Sequence, residues 1–296
     1  MFSKSDTYTS PLSLTISNNY TTPAIFSNFV PPIFTPIFSQ LSITAQNAAM
    51  GVFSLRAING VTPLTVNIRR STDNVTQDFY TDNLGNLLTV PVTGQTLASW
   101  LGDATGYVAT WYDQSGKGNH MSCSSTGIQP KIDLINKWID FKSGAYFDTS
   151  ANTSLGPVPW DNTKNYTITC HHNTIGNNAG GICGSYEANA PNKTNNFRAN
   201  AGSGYLAYWY ANDVVGGSYV VGNKVTFKWD GTNRKIYDNG ILQTTLASSG
   251  WGQTISALQL IGKTTADATM NGEMYSIFMF NIALTDADRI LIEGAS

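Results

Sequence analysis

The sequence predicts an all-β sandwich of the jelly-roll type, and three observations carry that prediction. About a dozen short apolar or alternating runs recur along the chain, with turn-rich segments between them. Helical patterning is confined to two short stretches, 95–101 and 285–293. The chain has 296 residues, enough for one large all-β domain that buries its core without metals or disulfides.

The first forty residues stand apart from this pattern. Five of the eleven prolines sit there (Pro11, Pro23, Pro31, Pro32 and Pro36), and no charge appears between Asp6 and Arg56. Proline fixes φ and lacks a donor, which excludes a helix or a central strand over 25–40. Residues 25–38 also carry eight large apolar side chains, among them Ile25, Phe26, Phe29, Ile37 and Phe38, too many for a solvated linker. The sequence therefore divides into an extended arm, 1–40, and a sandwich, 41–296. The arm needs a covering surface, either its own sandwich or a neighbouring subunit; the expectation is a neighbour, reached through residues 23–38.

From Leu41 onward the pattern is β. In 63–70, Leu64, Val66 and Ile68 alternate with Thr65, Asn67 and Arg69, which marks a half-buried strand. Similar runs cover 107–112, 137–141, 166–171, 204–210 and 224–229. Further runs, 235–237 and 241–246, flank Asp238-Asn239-Gly240, and Asn-Gly between β runs is a strong hairpin signal because both positions take φ > 0. Two more strands are expected at 257–261 and 273–280. Thr285 is a suitable N-cap for the last helix, with Asp286 and Asp288 near the positive end of its dipole.

Composition removes several function classes. With 17 Lys+Arg against 19 Asp+Glu, the net charge is −2 and no basic run exists, which argues against nucleic acid as a partner. No stretch reaches the roughly 18–20 apolar residues of a membrane span. The three cysteines (Cys123, Cys170 and Cys183) are odd in number and widely spaced, so neither a disulfide framework nor a zinc site is indicated, though one bridge plus a free thiol remains open. His171-His172 on a strand sends its rings to opposite faces, where they cannot share one metal. No cofactor is expected. No secretory signal is read in the N-terminal residues.

Two segments carry family patterns. Near the C-terminus, Trp229-Asp230-Gly231, the Tyr237–Gly240 hairpin, Leu260 with Gly262, Gly272-Glu273 and Ala283-Leu284-Thr285 resemble the closing half of laminin-G-like, concanavalin A-like sandwiches. Residues 51–121, above all W-Y-D-Q-S-G-K-G-N-H from Trp111 to His120, resemble the opening half of the catalytic domain of family 54 α-L-arabinofuranosidases. They also resemble related domains of phage and large-virus proteins. Within the motif, Gly116 and Gly118 suit φ > 0, and Asp113 or Ser115 can cap backbone N–H groups. The turn thus reads as a rigid polar corner or as a ligand-facing loop built from Asp113, Gln114, Asn119 and His120, with the corner preferred.

Glycoside hydrolysis needs two carboxylates, about 5–5.5 Å apart for retention or 6.5–9.5 Å for inversion. The resemblance implies a nucleophilic Glu after a vicinal Cys-Cys strand and an acidic Asp in a turn after the L-x-I-G strand. Here the Cys pair reads Ile182-Cys183, the nucleophile's neighbourhood reads Asn196-Phe197-Arg198, and the turn reads Gly262-Lys263-Thr264-Thr265. Glu187 and Asp267 are the carboxylates that would have to stand in. The sequence reading is therefore that the chain is no enzyme and has no catalytic residue.

What the resemblance leaves is a sugar-binding surface. In 204–212, Tyr205 and Trp209 share one strand face and Tyr208 and Tyr210 the other, so one pair packs inward and the other is free to stack on sugar rings. Arg198, Asn200 and Trp251 are candidates for the surrounding hydrogen bonds and wall. A calcium site occurs in related sandwiches, but no motif supports one here. The expectation is a non-enzymatic structural or adhesive component of a virion surface, or otherwise an extracellular one. Its partners would be capsid or other assembly subunits and a cell-surface glycan. The alternatives are a secreted glycoside hydrolase of the arabinofuranosidase type and a free carbohydrate-binding module.

Overall fold

The apolar and alternating runs fold into two antiparallel sheets in the computed structural model of the chain. It describes residues 35–82, 85–89, 93–135, 138–148, 165–174, 180–185, 196–200, 204–208, 213–218, 222–247, 259–263 and 269–295. The first half contains α1 (Ile37–Gln40), α2 (Ile43–Ala48), β1 (Ala49–Ser54), β2 (Leu64–Arg70), β3 (Thr76–Thr81), β4 (Leu87–Leu88) and α3 (Leu97–Leu101). It continues with β5 (Gly106–Trp111), β6 (Met121–Ser122), β7 (Lys131–Asp133), β8 (Trp138–Asp140) and β9 (Phe147–Asp148). The second half contains β10 (Tyr166–Thr174), β11 (Gly180–Ser185), β12 (Asn196–Asn200), β13 (Gly204–Tyr208), β14 (Val214–Gly216) and β15 (Lys224–Trp229). It closes with β16 (Asn233–Asp238), β17 (Ile241–Ala247), β18 (Gln259–Ile261), β19 (Gly272–Phe280) and α4 (Asp286–Ala295).

The larger sheet runs β17-β16-β15-β10-β19-β8-β7-β5-β2-β3-β4, with β1 on β19 and β6 on β5; the smaller runs β14-β13-β12-β11-β18-β9. Their inner faces share one core. Phe227 of the larger sheet meets Phe197 and Tyr205 of the smaller, and Trp111 meets Phe147. Burial of rings of this size, worth roughly 1.5–3 kcal/mol each, is the main force holding the layers face to face. The all-β sandwich is as expected.

Local chemistry explains the elements that sequence located. Asn239 and Gly240 take φ of 48° and 81°, the geometry of a tight hairpin turn between β16 and β17. Thr96 accepts a hydrogen bond from Ser99 N–H at 3.2 Å to start α3, and Thr285 accepts one from Asp288 N–H at 3.1 Å to start α4. In β2, Val66 and Ile68 are buried as alternation requires. Thr65 departs from it: a register shift between Leu64 and Val66 turns it inward, and its hydroxyl is satisfied by the Pro63 carbonyl at 3.0 Å.

The N-terminal boundary differs from the sequence expectation. Residues 37–40 form a helical turn, contrary to the proline-based expectation. Pro36 occupies the N-cap, outside the helical turn, where its missing N–H breaks no intrahelical bond. Residues 43–48, expected to begin the β pattern, are also helical, with Ser42 as their cap. Phe38 and Leu41 are buried with Val52, Phe278, Phe280, Leu284 and Ile292 in a second cluster of the same domain. The last apolar residues of the proposed tether, Ile37 and Phe38, thus pack on their own sandwich rather than on a neighbour. Residues 23–34 of that segment lie outside the described residues.

Candidate functional site

Alternation along a strand leaves every second side chain of the smaller sheet pointing away from the core. On β12, Phe197 and Ala199 are buried, and Phe197 lies 5.5 Å from the Tyr166 ring and 4.8 Å from Phe227. Their neighbours Asn196 and Arg198 therefore face outward, Asn196 fully covered and Arg198 half-buried. Arg198 stands opposite Leu206 on β13 and Gly181 on β11, in the middle of this outer face. A guanidinium there donates hydrogen bonds and cannot act as a nucleophile.

The aromatic candidates divide. Tyr205 is a correction: it is fully buried, 5.5 Å from the His172 ring and packed edge-on to Phe227, so it belongs to the core and offers no stacking surface. Asn200 and Tyr208 are strand residues whose backbones pair with Gly204 and Asn196. Trp209, Tyr210 and Trp251 lie outside the described residues, as do Glu187 and Asp267. Lys263 bridges to Thr269, and its ammonium sits 4.3 Å from the centre of the Tyr146 ring.

The motif turn after β5 is bound to β1. Asp113 accepts from Val52 N–H and Ser115 N–H with one oxygen, both at 2.8 Å, and from the Ser115 hydroxyl and Asn119 N–H with the other. Gln114 accepts from Ile58 N–H at 2.8 Å and donates to the carbonyls of Ser54 and Arg56. Asn119 donates to the Met50 carbonyl at 2.6 Å. Gly116 and Gly118 take φ of 82° and 76°. His120 Nδ1 accepts from Asp113 N–H at 3.1 Å; burial lowers the imidazole pKa, and the Asp113 carboxylate opposes that in part. The polar atoms of Asp113 and Gln114 are thus committed within the turn and to the 52–58 segment.

The two adjacent histidines part company as the strand period requires. His172 is buried between the sheets, and burial, with His171 beside it, lowers its pKa to about 3. His171 faces outward against Trp138 and Tyr275, and burial, with Lys224 nearby, lowers its pKa to about 4. All three cysteines are free and buried, and burial raises the thiol pKa of Cys170 and Cys183. Among the described residues, no three His, Cys, Asp or Glu side chains gather as metal ligands, and no helix is long and apolar enough to cross a membrane.

Sequence reasoning missed a concavity on the opposite sheet, where Arg69, Tyr107 and Lys131 meet from three strands. Its one signal was the polar set of the alternating 63–70 run, which includes Arg69.

No known family profile matches the sequence, and no curated protein matches it. Solved structures do. A mutant of a family 54 α-L-arabinofuranosidase soaked with 4-nitrophenyl α-L-arabinofuranoside is similar at a TM-score of 0.63 and 12% identity. A second structure of a family 54 enzyme, soaked with a cyclic sulfate inhibitor, gives 0.62 and 12%; an arabinofuranosidase complexed with arabinofuranosyl-α-1,2-xylobiose gives 0.62 and 11%. Each match covers 83% of this chain, and the chain spans about three-fifths of the length of those proteins (61–62%).

These matches correct the reading of a chain without enzymatic function. That reading rested on two short stretches, 196–198 and 262–265, whereas the likeness to glycoside hydrolases extends over most of the sandwich. None of these three structures is of a virion or capsid protein. The chain has the β-sandwich fold of the family 54 α-L-arabinofuranosidases.

Proposed function

We propose that the chain is a carbohydrate-active sandwich of the glycoside hydrolase type that acts on α-L-arabinofuranosides outside the cell. The observation that carries this reading is the likeness over 83% of the chain to arabinofuranosidases bound to arabinofuranosyl compounds. The outer face of the smaller sheet is the sugar-binding face, with Arg198 on its floor donating to sugar hydroxyls. The carboxylates come from the segments that leave this sheet: Glu187, two residues beyond the end of β11, and Asp267, between Lys263 and Thr269. One would protonate the leaving oxygen, and the other would attack the anomeric carbon or activate water.

The test is release of 4-nitrophenol from 4-nitrophenyl α-L-arabinofuranoside and of arabinose from arabinofuranosyl-α-1,2-xylobiose. Glu187→Gln and Asp267→Asn should each lower turnover by about 10²-fold or more. Binding of the trisaccharide without turnover would leave a carbohydrate-binding module. Neither binding nor turnover would remove the reading.

A further inference from the structure

The outer face of the larger sheet carries a row of cross-strand neighbours: Arg69 on β2, Tyr107 on β5, Lys131 on β7, Asp140 on β8 and Glu273 on β19. Their strand neighbours Ile68, Val108, Ile132, Ile139 and Met274 point into the core, so the row lies on the outer face of the sheet, with Glu273 covered by Lys142. The first four residues line a groove of about 380 Å³, together with Lys142, Gln129 and small hydroxyl residues. Three cations thus meet one carboxylate along its wall.

The cations differ in how they are satisfied. Lys142 is neutralised, its ammonium 2.8 Å from Glu273 and 3.8 Å from Asp140. Arg69 is held rigidly by neutral groups alone: it donates to Gln129 at 2.7 Å, to Asn74 at 2.8 Å and to the Thr126 carbonyl at 3.4 Å, and lies over the Tyr107 ring at 4.6 Å. Those bonds use three of the five guanidinium N–H donors and leave two. Among the described residues, no carboxylate pairs with Arg69, and the ammonium of the exposed Lys131 makes no hydrogen bond or ion pair. A preorganised guanidinium and a free ammonium on either side of one tyrosine form a receptor for a carboxylate, with Ser71, Thr126 and Gln129 as neighbouring polar groups.

We propose that this groove is a second saccharide site that takes an acidic sugar, the uronate carboxylate lying between Arg69 and Lys131. The choice of a sugar acid over another anion rests on the carbohydrate reading of the fold. The site lies on the sheet opposite the proposed hydrolytic face, so its test does not depend on turnover.

Binding of trigalacturonate is compared with binding of its neutral galactose counterpart by calorimetry on the full chain at low salt. Inorganic phosphate serves as the small-anion control. The acidic trisaccharide should bind about tenfold or more tightly than the neutral one, and Lys131→Ala should remove most of that preference, the worth of a charge-assisted hydrogen bond. Arg69→Lys should weaken binding likewise while keeping the charge, because the ammonium lacks the fork. Phosphate should not displace the trisaccharide at equal concentration. Equal affinity for the two trisaccharides, an unchanged preference in Lys131→Ala, or displacement by phosphate would each overturn the proposal. Failure of arabinofuranoside hydrolysis alone would not.

Discussion

Asp288 of the C-terminal helix accepts two hydrogen bonds from Ser42, one from its backbone N–H at 2.8 Å and one from its hydroxyl at 2.9 Å. The pair joins the cap of α2 to the first turn of α4, and Thr285 donates to the same carboxylate at 2.9 Å. Burial opposes ionisation of Asp288, yet the bonds from Ser42 and Thr285 outweigh it and hold the pKa below the ordinary value.

Asp288→Ala should therefore cost about 1–3 kcal/mol of stability, through lost bonds and stranded donors. A carboxylate whose folded pKa is depressed stabilises fully above its unfolded pKa. The difference between wild type and variant should be complete above about pH 4 and shrink as pH falls through the folded value. Denaturation curves from pH 7 to pH 2 check both the size and the sign.

Gly116→Val should destabilise by about 1–2 kcal/mol, the cost of placing an L side chain at positive φ. No heavy atom lies within 4 Å of an added Cβ, so no clash at that atom adds to the backbone strain. Thermal unfolding of the variant measures it, and an unchanged midpoint would contradict the φ of 82°.

His172 and His171 should make the fold acid-sensitive. Their folded pKa values, about 3 and about 4, lie below the ordinary histidine value, so the unfolded chain binds protons that the folded one refuses. The stability His172 contributes is present above about pH 6.5 and falls by up to about 1.4 kcal/mol per pH unit below it until its folded pKa is reached; the partly exposed His171 acts in the same direction by less. Proton NMR should find both rings neutral at pH 5.5, where an exposed histidine is charged.

Tyr205→Ala should cost about 3–5 kcal/mol as a core truncation. Arg198→Ala should weaken arabinofuranosyl-xylobiose binding and cost less stability than the Tyr205 truncation. Binding and melting measured on both variants separate the two sides of the smaller sheet. A stable Tyr205 variant with lost sugar binding would reverse the assignment.

Much of the fold was legible because it depends on short-range chemistry. The Asn239-Gly240 hairpin needs only two residues tolerant of positive φ, and α4 needs only Thr285 three residues before Asp288. By contrast, β1 is buried at all six positions, so it shows no alternation, and the uncharged 37–48 stretch shows no helical face. Its helices are held by contacts with residues more than two hundred positions away.

The candidate site was legible only in part for the same reason. Period-two alternation separated Tyr205 from its neighbours, yet either face of an isolated strand can be the dry one. Stacking of the smaller sheet on Tyr166 and Phe227 chose the inner face, burying Tyr205 and turning Arg198 outward.

The sequence by itself determined the alternating run at 63–70, the Asn239-Gly240 turn and the lack of a basic run or an 18-residue apolar stretch, since each depends on neighbours along the chain. Only the tertiary structure decided which strand faces are dry and that Arg69, Tyr107 and Lys131 share one groove. Those positions lie on β2, β5 and β7, and cross-strand neighbours have no proximity until the sheet forms.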